Sequence, residues 1–383
     1  MFGCAWLLLW AALARTAAAL QTGQVPAGVG GRALASSGSH AARGVDGPAQ
    51  GGGRDAAASA AAASAESVDA WLHMSHVQQS LEQNMYTPML VSVQDALETV
   101  GATTRIVDWH SDLEMLEGVR KAVAKNKRPL VVNVAIKFGT KKAMRALQAC
   151  RQAGAYLVLY STEAADAEWM SGAAANLSAH EVWEYALSNI DRYSEEFRRR
   201  TPVRYMPPGY SPRLDAGVDL RSPTRQVDSA GFLGGFGYRP GAIKMLYRSM
   251  LGARLTLPGD VWTQEQQQKY LSKFPLQLNI HKEQSCCPHD PDEPVAMEAF
   301  RMAVLLTNRA CVLSTPVPEK DRRLWEGIVH FAEPDKTLQA LNLLRGDVLG
   351  CQERAASLFR QRFDPSKLMR DSGFLEVWRP SGL

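Results

Sequence analysis

The chain has 383 residues, 46% of them hydrophobic and 21% charged, with 43 Lys and Arg against 39 Asp and Glu. That length suits two domains, and the composition excludes both wholesale disorder and a polytopic membrane protein. The net charge of +4 is scattered among both signs and marks no nucleic-acid footprint, and the densest basic run, Arg198-Arg199-Arg200, reads as a solvated helix end.

In chain order, residues 4–14 (CAWLLLWAALA) form a compact apolar run followed by Arg15 and the small residues Ala17, Ala18 and Ala19, the pattern of a signal peptide over 1–20. The run is shorter than the roughly 20 apolar residues a bilayer requires, so no stable membrane span is expected and a retained anchor is the second reading. Residues 21–67 are rich in Ala, Gly and Ser and lack Phe, Trp and Tyr, which leaves little to offset ordering entropy and predicts a disordered linker. Such a stretch suits the stem of a secreted or Golgi-lumenal enzyme, and it equally suits a plastid transit segment in a bipartite leader.

From 68 to about 220 short apolar strands alternate with amphipathic helices, the signature of a Rossmann-like domain. Ser111-Asp112-Leu113-Glu114 has capping-box spacing and predicts a helix with Leu113, Leu116, Val119 and Val123 on its inner face. LVVNVAI (130–136) reads as a strand covered on both sides, followed by a helix burying Ala143, Met144, Leu147 and Cys150, with Gly154 as its C-cap. The next strand, AYLVLY (155–160), delivers Glu163 to its carboxyl end, where open α/β sheets bind ligands. A carboxylate there can deprotonate a hydroxyl if burial raises its pKa, and otherwise it orders a loop. Asn176-Leu177-Ser178 is an N-glycosylation sequon.

MPPGYSP (206–212) and SPTRQ (222–226) mark a connection, and a second Rossmann-like domain is expected over 221–350, with a helical tail over 351–383. AGFLGGFG (230–237) leads through a glycine loop into a helix. That arrangement lets backbone N–H groups approach a phosphate, although Pro240 stands where a dinucleotide fingerprint needs its third glycine. LQLNIH (276–281), ACVLST (310–315) and GIVHF (327–331) read as strands, 297–308 as a buried helix and 335–344 as another, with Leu338, Leu341 and Leu344 inward and Gly346 as stop. Glu298, near a helix start, suits either the helix dipole or a ribose diol. His281 suits a ligand contact or a satisfied, partly buried histidine.

Of the six cysteines Cys4 lies in the leader, and the remaining five, an odd number, indicate no disulfide framework. Cys150 and Cys311 fall on apolar phases and read as small buried hydrophobes. Cys286-Cys287-Pro288-His289 lacks the spacer of structural zinc sites, so no metal is expected.

Taken together, LYSTE (159–163), EVWEYALSNIDRY (181–193), VRYMPPGYSP (203–212), GFLGGFGYRPGAIKML (231–246), LNIHKE (278–283), EAFRMAVLLTNRACVLST (298–315) and EGIVHFAEPDKTLQALNLL (326–344) resemble a glycosyltransferase family of the group-1, spore-maturation-protein type. The resemblance covers most of 128–346 and implies two Rossmann-like domains facing across a cleft (GT-B type). The nucleotide-sugar donor would be a co-substrate of the C-terminal domain and the acceptor would lie against the N-terminal one. Carried over by position, Gly234, Gly235 and Arg239 would cradle the diphosphate, and Asn279, His281, Glu298 and Arg301 would line the nucleoside side. Glu163, a carboxylate at a strand end facing the cleft, is the first choice for the base, and Glu181 and Trp183 would shape the acceptor side. The family implies no metal and no cofactor, because cationic side chains and protein dipoles stabilise the leaving diphosphate. The acceptor would be a glycan, a protein or a small molecule, with no nucleic acid as partner. The family tends to place an acidic residue after Ser314, where this chain has Thr315. That departure keeps open a non-catalytic GT-B-like protein binding a glycan or nucleotide, and the alternation alone also suits a periplasmic-type binding protein.

Overall fold

The computed structural model describes residues 68–77, 81, 84–163, 167–234, 241, 254–256, 261, 263–281 and 294–380. The first sheet has six strands: β1 (Ala70–Met74), β2 (Thr104–Asp108), β3 (Leu130–Val134), β4 (Tyr156–Tyr160), β5 (Glu181–Glu184) and β6 (Val203–Tyr205). They pair in parallel in the order β2-β1-β3-β4-β5-β6. Every residue of β1, β3 and β4 is buried, as their nearly continuous apolar runs require when helices cover both faces. Alternate residues supply two separate cores: Leu72, Val132 and Val158 face one side, and Trp71, Val131 and Leu157 the other. The helices of this lobe are α1 (Thr87–Thr99), α2 (Asp112–Ala124), α3 (Lys141–Gln152), α4 (Ala167–Leu177), α5 (Leu187–Ile190) and α6 (Glu195–Arg200). Helix α3 buries Ala143, Leu147 and Cys150 and is followed by Gly154 at φ 110°, a left-handed position that glycine occupies without strain. Burial pushes the Cys150 thiol up to about 12, so this cysteine is an inert apolar filler.

The second sheet has five parallel strands: β7 (Ser229–Phe232), β8 (Arg254–Thr256), β9 (Leu276–Asn279), β10 (Cys311–Ser314) and β11 (His330–Phe331), in the order β11-β10-β9-β7-β8. Around it lie α7 (Gln264–Lys273), α8 (Ala299–Thr307), α9 (Glu319–Trp325), α10 (Thr337–Arg345), α11 (Val348–Arg362) and α12 (Pro365–Asp371). All residues of α8 are buried, because it forms the seam between the sheets, packing on α1 as well as on α11 and β10. One apolar core therefore runs from Leu72 in the first sheet through Leu305 to Phe359 in α11. After α11 the chain returns to the first lobe: α12 packs on α1, Trp378 Nε1 donates to Arg128 O at 2.9 Å, and Arg204 Nη1 donates to Ser372 O at 2.7 Å. Among the described residues no helix is long and apolar enough to cross a membrane.

Several expectations need correction. Cys311 is not a lone hydrophobe. It forms a disulfide with Cys351, 40 residues further on, with a Cα–Cα distance of 5.6 Å. Closing a loop of that length restricts the unfolded chain by about 3–4 kcal/mol in the chain-entropy account. Helix α2 packs Leu116, Val119 and Val123 on the core as expected, but its first turn differs. Leu113 is 70% exposed and Ser111 makes no side-chain cap, while Asp112, Met115, Val119 and Ala122 turn inward. The cause is a long-range partner, since Asp112 is held by His73 on β1. Trp183 and Glu181 are wholly buried, and the Glu181 carboxylate accepts from Tyr156, Trp183 and Arg204, so both belong to the packing beneath the C-terminal segment. The strand expected over 327–331 is reduced to His330 and Phe331, because Gly327 sits in a left-handed turn at φ 78°.

Candidate active site

In each sheet the chain reverses its direction of travel once. From β1 it goes outward to β2 and then inward to β3, and from β7 outward to β8 and then inward to β9. The crevice beyond the carboxyl ends of the strands at such a reversal is where open α/β sheets take ligands.

At the second reversal, Gly234 follows β7, Asn279 ends β9 and His281 lies two residues beyond it, Ser314 ends β10, and Glu298 caps α8. These groups touch. Arg301 pairs with Glu298 and its Nη1 donates to Asn279 Oδ1 at 2.6 Å, while its guanidinium carbon lies 5.2 Å from the ring centre of Phe232. Asn279 Nδ2 in turn donates to Ser314 Oγ at 2.9 Å, and Ser314 Oγ lies 3.4 Å from His281 Nε2. Gly234 belongs to the same cluster, because an added Cβ would stand 2.7 Å from Phe232 Cζ and 3.1 Å from Arg301 Nη2. Arg301 and Glu298 are both nearly buried, an arrangement that holds only when the charges are paired and their remaining valences bonded. Asn279, His281, Glu298, Arg301 and Gly234 are thus brought together. Gly235, Arg239 and the Cys286-Cys287 loop lie outside the described residues.

From the first sheet Glu163, just beyond β4, accepts a 2.7 Å hydrogen bond from Tyr86 Oη at the start of α1. Tyr86 and Tyr185 both pack edge-on against Phe300 of α8, with centroids 5.5 and 6.1 Å away, so the carboxyl edges of the two sheets meet here. Burial raises the Tyr86 phenol well above its ordinary range, Glu163 adds to the shift and Glu298 acts on it more weakly. Tyr185 is raised by burial, then Glu184, Glu163 and Glu298. Glu163 from one lobe and Glu298 from the other therefore act on the same two phenols.

Sequence reasoning missed two groups. The first is a buried network at the β1/β3 reversal: His73 Nε2 meets Asp112 Oδ1 at 2.9 Å, and Asn133 Nδ2 meets His73 Nδ1 at 2.7 Å and Ser75 Oγ at 2.6 Å. Asp112 Oδ2 and Asn133 Oδ1 are buried without a protein partner, the pattern of a polar floor completed by water. The segment it supports leads to His76, whose ring centre is 6.4 Å from that of Tyr86 and whose pKa is lowered by burial. No local spacing would have revealed this, since Asp112 and Asn133 lie 39 and 60 residues from His73.

The second is Asp321 on α9, which accepts from Ser188 N at 3.1 Å and Ser188 Oγ at 2.6 Å at the start of α5, with the amides of Leu187 and Met297 adding to it. It joins the lobes next to Glu298. Burial raises the Asp321 pKa above its ordinary 3.8 despite those donors. The folded chain then binds this proton more tightly than the unfolded one. The group's contribution to stability is whole below the ordinary value and is lost as pH rises through the raised one. The stability of the native chain relative to Asp321→Asn, measured by denaturant unfolding, should therefore fall as pH rises above the ordinary 3.8; a difference that stays constant with pH would refute this.

Among the described residues one group of three metal-type donors lies close together: Cys311, His330 and Cys351, within 4.8 Å. It sits at the amino end of β10, away from the cluster above, and its two sulfurs are joined to each other.

No protein-family model matches the chain, and no curated protein sequence matches it. Solved structures do. The β-glucosyltransferase of T4 phage in complex with UDP and Mn2+ is 11% identical with a TM-score of 0.50, and the match covers 80% of this chain and 99% of that one. A DNA-modifying β-glucosyltransferase described in the presence and absence of uridine diphosphoglucose is 10% identical with a TM-score of 0.50, covering 80% and 98%. At that identity the likeness shows the fold: two parallel α/β sheets of the GT-B type.

Proposed function

We propose that this chain is a glycosyltransferase that moves a sugar from a nucleotide-sugar donor to a hydroxyl acceptor, and that it belongs with the group-1, spore-maturation-like enzymes its segments resemble. The observation that carries the reading is that Tyr86, which donates to Glu163 and packs on Phe300 of α8, feels both Glu163 and Glu298 of the Glu298–Arg301–Asn279 cluster. In the reaction the acceptor oxygen forms a bond to the anomeric carbon, the bond from that carbon to the diphosphate breaks with its electron pair, and Glu163 takes the hydroxyl proton. Tyr86 orients that carboxylate by donating to it. Because Arg301 is already neutralised by Glu298, the pair presents hydrogen-bonding edges suited to a ribose or base. The diphosphate is assigned to Gly234, Gly235 and Arg239, as the family resemblance implies.

The neighbouring T4 enzyme was seen with UDP, which makes a uridine donor the first to try. We further propose that the leader takes the chain into the secretory pathway. The Cys311–Cys351 bridge supports this, since disulfides persist in oxidising compartments. The test is thermal unfolding of the full chain with UDP-, GDP- and ADP-sugars, each with and without Mn2+. A donor at a hundred times its Kd should add about 2.7 kcal/mol to stability and raise the midpoint accordingly. If no donor moves the midpoint at millimolar concentration, the reading fails and a protein without donor binding takes its place.

A further inference from the structure

We infer that Asn176 is a site of N-linked glycosylation, an inference that rests on the lumenal reading above. Asn176-Leu177-Ser178 is the single N-x-S/T sequence in the chain, and its middle residue is not Pro. Both working residues are exposed while Leu177 between them is buried, so the motif is anchored by its centre and open at its two polar ends. Asn176 lies in the last turn of α4, and Ser178 ends the helix in a left-handed conformation at φ 50°. Among the described residues the Asn176 side chain makes no hydrogen bond, so attachment displaces nothing that holds the fold.

The placement is compatible with activity. Helix α4 starts beyond the carboxyl end of β4, close to Glu163, and runs back toward the amino end of β5, so Asn176 is about 15 Å further from the sheet's working edge than the helix start. A glycan there leaves the candidate active site clear. The same oxidising lumen that would form the Cys311–Cys351 bridge is the one in which such transfer takes place. In the transfer, Asn176 Nδ2 bonds to the anomeric carbon of a lipid-diphosphate-linked oligosaccharide. The bond from that carbon to the diphosphate oxygen breaks with its electron pair, and one amide proton passes to the transferring enzyme's base and then to water.

The experiment is expression of the full chain in a eukaryotic secretory cell, once with its own leader and once with a borrowed cleavable signal in place of residues 1–20, followed by peptide mass spectrometry with and without amidase release of N-glycans. The expected result in both arms is one discrete gel shift lost on amidase treatment, an Asp at position 176 in the released peptide, loss of the shift in Asn176→Gln and Ser178→Ala, and its retention in Ser178→Thr. An unmodified Asn176 in a lumenal chain whose 311–351 bridge has formed overturns this inference alone. Modification with the borrowed signal but not with the native leader overturns it together with the lumenal reading.

Discussion

Glu163→Gln should lower the sugar-transfer rate by about 10²–10⁴-fold while leaving the unfolding midpoint and donor affinity nearly unchanged. The amide keeps an oxygen that can accept the Tyr86 hydroxyl, so the loop after β4 stays tethered and only the capacity to take a proton is lost. Because the loss falls on proton transfer and not on binding, it should appear in kcat with KM little altered. Glu163→Ala removes the tether as well and should also lower stability, which separates the chemical role from the structural one. If Glu163→Gln turns over at the native rate, the base lies elsewhere, and His76, beside Tyr86, is the next group to replace.

The second large effect is expected at Arg301. Arg301→Ala leaves Glu298 buried without its cation, strands Asn279 Oδ1 and opens space beside Phe232. Removing one member of a buried pair costs about 3–5 kcal/mol, because the other charge is left uncompensated in a poor dielectric. Denaturant unfolding should show that loss, and the donor-induced rise in midpoint should vanish with it. Glu298→Gln with Arg301 intact keeps an oxygen for the guanidinium and should lose less stability. If Arg301→Ala unfolds at the native denaturant concentration, the pair is solvated in a way the structure does not indicate. If it loses stability yet keeps full donor affinity, the cluster is only a strut for the seam.

Much of this was legible in the residues themselves. A strand covered on both faces has no choice but a run such as LVVNV, and a helix against a sheet must repeat its apolar side chains as Ala143, Leu147 and Cys150 do. Strand ends then follow, and with them the positions of Glu163, Asn279 and His281. What escaped had no local signature. The first turn of α2 is set by His73, 39 positions before Asp112, and capping-box spacing at Ser111 competes with that contact and loses. Counting cysteines to an odd total argued against pairing, yet parity says nothing about which two lie 5.6 Å apart once α11 lies against β10. Asp321 sits in a charged helix with nothing local to mark it, and the approach of α5 from the other lobe brings the Ser188 donors to it.

The return of the chain after α11 has a mechanical corollary. Two lobes joined by a single strand of backbone can twist, tilt and separate freely, whereas here the backbone crosses once before β7 and again between α11 and α12. Two crossings act as two ties, and the apolar core that runs unbroken from Leu72 through Leu305 to Phe359 adds to their hold on twist and separation. The Cys311–Cys351 bridge bolts the first turn of α11 to β10, at the end of the helix opposite the second crossing. The lobes are thus tied at two places, which keeps Glu163 of one and Glu298 of the other beside the same two phenols.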